Sequence, residues 1–214
     1  MTDFFLPWPL LFAFLGASLV LAATPGPGVV FVVARTLSQG RSAGLASVAG
    51  VALGNLANAV GASLGLAALF AISSAAFTLV KWAGAAYLVY IGVRALLTKP
   101  APTGDVQFQK QALVKIFRDG FWVALLNPKT AIFFAAFLPQ FLDRLSPSVA
   151  QSLALGGTFV LIAASTDTLY VLAAARVAPA LAGMLRGASI GRYLTATVFI
   201  GLGVFTALTG TRNK

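Results

Sequence analysis

The chain has 214 residues, of which 59% are hydrophobic and only 9% charged, with a mean hydropathy of +0.91. Soluble domains carry about 25% charged residues, so this composition belongs to an all-α integral membrane protein. Cys, His and Glu are absent, which removes disulfides, thiol relays, haem ligation and the usual zinc sites; no metal site, cofactor or enzymatic activity is expected.

The isoelectric point near 10.8 would suit a nucleic-acid binder, but the basic residues lie between apolar segments rather than in one patch. That is the pattern of positively charged loops on one side of a membrane, and no nucleic-acid partner is expected. The amino terminus, Met1 to Phe5, has neither a basic region nor a clear cleavage site, so no removable signal peptide is expected.

A membrane span takes about 20 apolar residues. Six are predicted, at about 10–36, 44–73, 76–97, 120–142, 149–175 and 192–209. The first is interrupted by Thr24-Pro25-Gly26-Pro27-Gly28. Pro25 and Pro27 lack the amide hydrogens that would bond the carbonyls of Leu21 and Ala23, and Thr24 and Gly26 each precede a proline and are pushed from helical angles. Hydrocarbon tolerates such freed backbone only against protein or a wet cavity. The stretch therefore predicts unwound backbone lining a cavity, followed by a half-helix whose free amides and positive dipole end suit a carboxylate. The competing reading is a structural kink.

In the second span Gly50, Gly54, Gly61 and Gly65 permit close helix approach, within one subunit or, less often, at a homodimer seam; Asn55 and Asn58 are candidates to line the cavity. After the third span comes the only sizeable loop, Thr98 to Asp119. Leu126-Asn127-Pro128-Lys129-Thr130 breaks the fourth span as the first is broken, freeing the carbonyl of Ala124. Lys129 either snorkels to the headgroups or faces the cavity, paired with Asp167 or with substrate. Phe133, Phe134 and Phe137 read as lipid-facing or core filler, and Arg35 and Arg94 as headgroup anchors. Of the five aspartates, Asp3, Asp105, Asp119 and Asp143 fall in a tail or loops, and Asp167 alone lies inside an apolar span. Intramembrane carboxylates default to functional, so Asp167 is the candidate for proton coupling; a structural ion pair is the alternative. Between the last two spans, Pro179 to Gly191 is too short to cross and is expected at the interface.

Charge asymmetry sets the orientation. Arg35, Arg41, Arg94, Lys99, Lys110, Lys115, Arg118, Arg176, Arg186 and Arg192 fall on one side, and Lys81, Arg144, Arg212 and Lys214 on the other. The first side should be cytoplasmic, with both termini outside. A faint repeat pairs Lys81 with Arg192, Gly92 with Gly203, Val93 with Val204 and Leu97 with Leu208 at an offset of 111, and Thr24-Pro25 with Asn127-Pro128 at 103. With three spans per half, the halves (about 1–97 and 120–209, joined by a linker at 98–119) form a 3+3 inverted-topology repeat within one domain, 1–214. Matched interrupted spans are the sequence pointer to a transporter's binding site.

These residues resemble the LysE/RhtB family of bacterial amino-acid exporters. The resemblance is carried by Thr24-Pro25-Gly26-Pro27, by the spaced glycines of the second span, and by Lys81, Gly84, Tyr87-Leu88 and Gly92. Leu126-Asn127-Pro128-Lys129, Phe133-Phe134, Phe137-Leu138-Pro139-Gln140-Phe141 and Asp167 complete it. It implies a six-helix, multi-pass protein of the bacterial inner membrane that exports basic or neutral amino acids, homoserine or its lactone, driven by the proton gradient. The family often has Asn where this chain has Gly28, which leaves substrate choice open. The resulting expectation is a secondary transporter with Thr24, Pro25, Gly26, Pro27, Gly28, Asn55, Asn58, Asn127, Pro128 and Lys129 around the substrate and Asp167 carrying the proton. The amides of the half-helices would hold the substrate carboxylate, and freed carbonyls near Leu21, Ala23 and Ala124, with Asp167, its ammonium. A channel, a membrane assembly subunit, or an exporter of another small solute or ion are the alternatives; one intramembrane carboxylate is a poor ligand set for a metal ion.

Overall fold

The computed structural model describes residues 7–64, 74–97, 111–142, 149–184 and 188–208, and every element among them is helical. Helix α1 (Trp8–Ala23) stops where Pro25 and Pro27 withhold their amides. Helix α2 (Pro27–Gln39) starts with proline at its first position, where a missing N–H costs nothing. The two are bent by 47°. Gly40, at φ 86°, takes the left-handed conformation that glycine adopts without strain. It turns the chain from α2 directly into α3 (Arg41–Ser63).

Helix α4 covers Ser74–Leu97. Helix α5 (Leu113–Leu125) ends at the second proline break, and α6 (Pro128–Ile132) starts beyond it. A wide π turn at Phe133–Phe137 and a tight 3₁₀ turn at Leu138–Phe141 continue α6, and the pair is bent by 45°. Helix α7 (Val149–Met184) runs through Pro179, and α8 covers Ala188–Leu208.

Arg41–Ser63 and Val149–Ala180 are each long and apolar enough to cross a membrane, and each bent pair is so as a unit; α4 and α8 contribute shorter apolar stretches, Trp82–Leu97 and Ala196–Phe205. Large apolar side chains such as Leu19, Val20, Leu161 and Leu169 stand on the outside, as a lipid-facing surface requires.

Several boundaries depart from the sequence reading. The fourth span begins at Leu113, not near residue 120, because Leu113, Ile116, Gly120 and Val123 recur at helical spacing through a stretch that Lys115 and Arg118 make look like loop. The fifth continues past residue 175 to Met184, so part of the expected interfacial segment is helix. Residues 1–6 with Asp3, residues 65–73 of the expected second span with Gly65, residues 98–110 of the expected loop with Asp105, and Asp143, Arg144, Arg186, Arg212 and Lys214 lie outside the described residues.

Helix α3 sits at the centre, against α2, α5 and α7. Its glycines set the distances. A Cβ on Gly50 would run into the backbone carbonyl of Phe117, and one on Gly54 would meet the carbonyl of Phe121. The α3 and α5 backbones therefore touch, as small residues allow between membrane helices.

Two hydrophobic clusters lie on opposite sides of the helix breaks. One gathers Phe31, Val32, Val48, Val51, Leu88, Ile91, Ile116, Val123, Val171 and Phe199. The other is aromatic: Phe14, Phe133, Phe134, Phe141 and Phe159, with Leu138 and Leu155. Phe133 and Phe134 are thus core residues, not lipid-facing ones.

Candidate functional site

The two breaks lie side by side, and their orphaned carbonyls define the local chemistry. The Leu21 carbonyl, denied an amide by Pro25, keeps only a long bond from the Thr24 amide at 3.3 Å and accepts from Lys129 Nζ at 2.7 Å. The same ammonium donates to the Thr24 carbonyl at 2.6 Å. Tyr170 Oη donates to the Ala23 carbonyl at 2.8 Å. At the second break, the Ala124 carbonyl accepts from Asn58 Nδ2 at 3.0 Å and from the Asn127 amide at 3.1 Å. Asn127 Oδ1 in turn caps α6 by accepting the Lys129 amide at 3.0 Å.

The carbonyls expected to be free, those of Leu21, Ala23 and Ala124, are each engaged in this structure by the chain's own Lys129, Tyr170 and Asn58. The reason is general, since a backbone acceptor left bare away from water costs about 1–3 kcal/mol.

Between the breaks lies a cavity with about 40 Å³ of space open to the centre of a water molecule. One water needs roughly 10–15 Å³ of such space, so the cavity has room for water. Of the residues singled out from sequence, Gly26, Gly28, Asn55, Asn127, Lys129 and Asp167 line it. Thr24, Pro25, Pro27 and Pro128 make the breaks without lining the cavity, Thr24 turning its hydroxyl back to the Val20 carbonyl at 2.6 Å. Asn58 supports the second break from α3. Thr130, which follows Lys129 in the same motif, also lines the cavity and was not singled out. The apolar wall comes from Leu21, Val29, Val51, Phe159 and Ala163.

Asp167 is buried at 5% exposure. Among the described residues no donor lies within hydrogen-bonding distance of its carboxylate, and the ion pair within 4.0 Å is elsewhere.

That other ion pair was missed. Asp119 is not in a loop; it is buried in α5, with Oδ2 3.3 Å from Arg35 Nη2. Tyr87 Oη donates to Oδ1 at 3.3 Å. Arg35 also lies over the Phe31 ring at 5.2 Å from its centroid, so it is a buried tie between α2, α4 and α5 rather than a headgroup anchor. The residue spacing Ile116, Asp119, Gly120, Val123 carried the signal, because it puts Asp119 on the apolar face of a helix. Arg94, by contrast, is exposed and rests on Tyr90 at 5.7 Å.

A profile of the family described as LysE type translocator matches residues 19–210. The chain belongs to this family. The match takes in both breaks, Lys129, Asp167 and the Arg35–Asp119 tie. The homoserine/homoserine lactone efflux protein of Salmonella typhimurium is 35% identical over 167 residues, 78% of this chain and 81% of that protein. A membrane protein of Vibrio cholerae without assigned function is 31% identical over 91% of this chain and 95% of its own length. The membrane protein YrhP of Bacillus subtilis is 27% identical over 92% of this chain and 98% of its own. No solved structure matches. With its apolar helices, the LysE-type chain is a multi-pass membrane protein, and its family and relatives point to translocation of a small molecule rather than to an enzyme.

Proposed function

We propose that the protein is a secondary transporter that exports small amino acids or close derivatives, of the homoserine or neutral amino-acid kind, across the bacterial inner membrane, with Asp167 coupling export to protons. The observation that carries the reading is one cavity between two proline-broken helices, lined by both a lysine, Lys129, and an aspartate, Asp167, that has no hydrogen-bonding partner among the described residues. The choice of homoserine and its lactone as first candidates rests on the name of the Salmonella relative. First-turn amides of a helix have no partner within it, and Gly28 and Val29, in the first turn of α2, line the cavity, where a substrate carboxylate would meet the positive dipole end.

The transporter is read as six spans in two inverted halves within one domain. The packing of α4 against α8 supports this. A Cβ on Gly92 would meet the Ala196 carbonyl and the Ile200 side chain, while one on Gly203 would meet the Ala85 carbonyl and the Val89 side chain. At the offset of 111, Gly92 corresponds to Gly203, Ala85 to Ala196 and Val89 to Ile200. The two contacts therefore exchange into each other, and they run antiparallel, as an axis in the membrane plane requires. Gly26 and Lys129 correspond at the offset of 103, and they touch, as equivalent positions beside such an axis do. Rocking of one half on the other would then open the cavity to alternate sides.

Reconstitution tests the reading. Liposomes loaded with unlabelled L-homoserine should accumulate labelled L-homoserine by counterflow, with saturation. A panel of labelled amino acids then ranks substrates. Flux without saturation marks a channel, and no flux with any of the panel overturns the reading. Efflux by the unmodified protein should respond to an imposed pH gradient, whereas Asp167→Asn should lose that response; an Asp167→Asn variant as active and as pH-dependent as the parent removes the coupling role.

A further inference from the structure

Lys129 reaches from the second break to the first and sets its ammonium on two carbonyls, those of Leu21 and Thr24, at 2.7 and 2.6 Å. These oxygens stand at the carboxyl end of α1, where partial negative charge collects. A pair of carbonyls in this arrangement suits any primary ammonium, and every α-amino acid brings one. The site is shaped around the lysine stem: a Cβ on Gly26 would lie 3.2 Å from Lys129 Cδ and 3.5 Å from Nζ. Meanwhile Asp167 faces the same cavity and lacks a hydrogen-bonding partner among the described residues. Lys129 and Asp167 are each the charge that acts on the other there. The lysine therefore has two stations within one small space, and uses one.

We propose that Lys129 is a tethered stand-in for the substrate's ammonium: the incoming amine takes over the Leu21 and Thr24 carbonyls, and the displaced lysine turns to the Asp167 carboxylate. The inference rests on the reading of the chain as an amino-acid transporter. It gives the lysine stem, which lies against Gly26 on the cavity wall, a place to leave and a place to go. It also explains how the empty carrier keeps its broken backbone satisfied away from water. Return of Lys129 to the carbonyls then expels the amine, so loading and release are two halves of one exchange.

The test compares the unmodified protein with Lys129→Met and Lys129→Gln, each in lipid nanodiscs, by calorimetric titration with three probes. L-Homoserine carries the ammonium, 4-hydroxybutyrate lacks it, and ethylammonium chloride is an ammonium alone. Lys129→Met should bind L-homoserine about ten-fold tighter than the parent, the scale of one charge-assisted hydrogen bond relieved of its competitor. Binding of 4-hydroxybutyrate should stay unchanged, and ethylammonium should bind the variant but not the parent. Lys129→Gln, whose amide can still donate to a carbonyl, should fall between; should Lys129→Met not fold, it carries the comparison alone. Equal weakening of L-homoserine and 4-hydroxybutyrate overturns the proposal, because the lysine would then be a carboxylate ligand. Failure of ethylammonium to bind either variant overturns it as well. If ethylammonium binds the variants while no amino acid binds any form, the exchange stands and the transporter reading falls.

Discussion

The two hydrophobic clusters on either side of the helix breaks are built differently. Toward the basic end, where Arg94, Lys115 and Arg118 gather around Arg35 and Asp119, helices α3 and α5 meet backbone to backbone through Gly50, Gly54 and Gly120. Branched aliphatic side chains fill what space remains, and the Arg35–Asp119–Tyr87 tie joins three helices. At the opposite end the chain departs from regular helix at Phe133–Phe141. The space there is filled by rings: Phe133 stacks on Phe159 at 4.5 Å and Phe14 meets Phe141 edge-on at 5.3 Å. Backbone contact excludes any side chain larger than hydrogen, whereas a ring contact tolerates other apolar side chains of similar volume. The difference teaches how each end is joined: the basic end through backbone contact between helices, the aromatic end through side chains alone.

Substitutions can break or sharpen that contrast. The largest effect is expected at the basic end. Gly50→Ala drives a methyl group into the Phe117 carbonyl, and overpacking of this kind costs about 3 kcal/mol or more; size-exclusion chromatography of the detergent-solubilised variant should show little monodisperse protein. Asp119→Ala strands the Arg35 charge, at a cost of about 3–5 kcal/mol. Its melting temperature should drop sharply, and the double variant Arg35→Met, Asp119→Leu should recover much of the loss. A smaller fall, about 0.5–1.5 kcal/mol, is expected for Asn58→Ala, which leaves the Ala124 carbonyl with the Asn127 amide as its remaining donor; thermal unfolding measures it. As small a loss should come from the aromatic end: Phe137→Leu loses ring contacts with Phe133 and Phe141, worth about 0.5–1.5 kcal/mol. Similar losses at Gly50 and Phe137 would erase the distinction between the two ends.

What the sequence made legible follows the same division between local and long-range causes. Both breaks could be read because a proline lacks an N–H whatever surrounds it, and Asp167 because a charge inside an apolar run needs no partner to be conspicuous. Asp119 was hidden by Lys115 and Arg118, charged neighbours on the same stretch of helix that gave the segment the composition of a loop. The partners of the freed carbonyls were hidden for another reason. Lys129 and Leu21 are 108 residues apart and Tyr170 and Ala23 are 147 apart, and no local pattern states that they meet. The glycines of α3 announced close approach but not that the backbone of α5 would be the neighbour.

The central claim is that substrate occupies the cavity between the two breaks, and the absence of native cysteine makes it directly testable. Thr130→Cys places a nearly isosteric thiol on the cavity wall, and its rate of modification by a small methanethiosulfonate reagent can be followed in membrane vesicles with and without saturating L-homoserine. The account predicts a slowing of several-fold with L-homoserine and none with 1-butanol. A rate indifferent to L-homoserine, in a variant that still transports it, would place the substrate elsewhere and contradict the account.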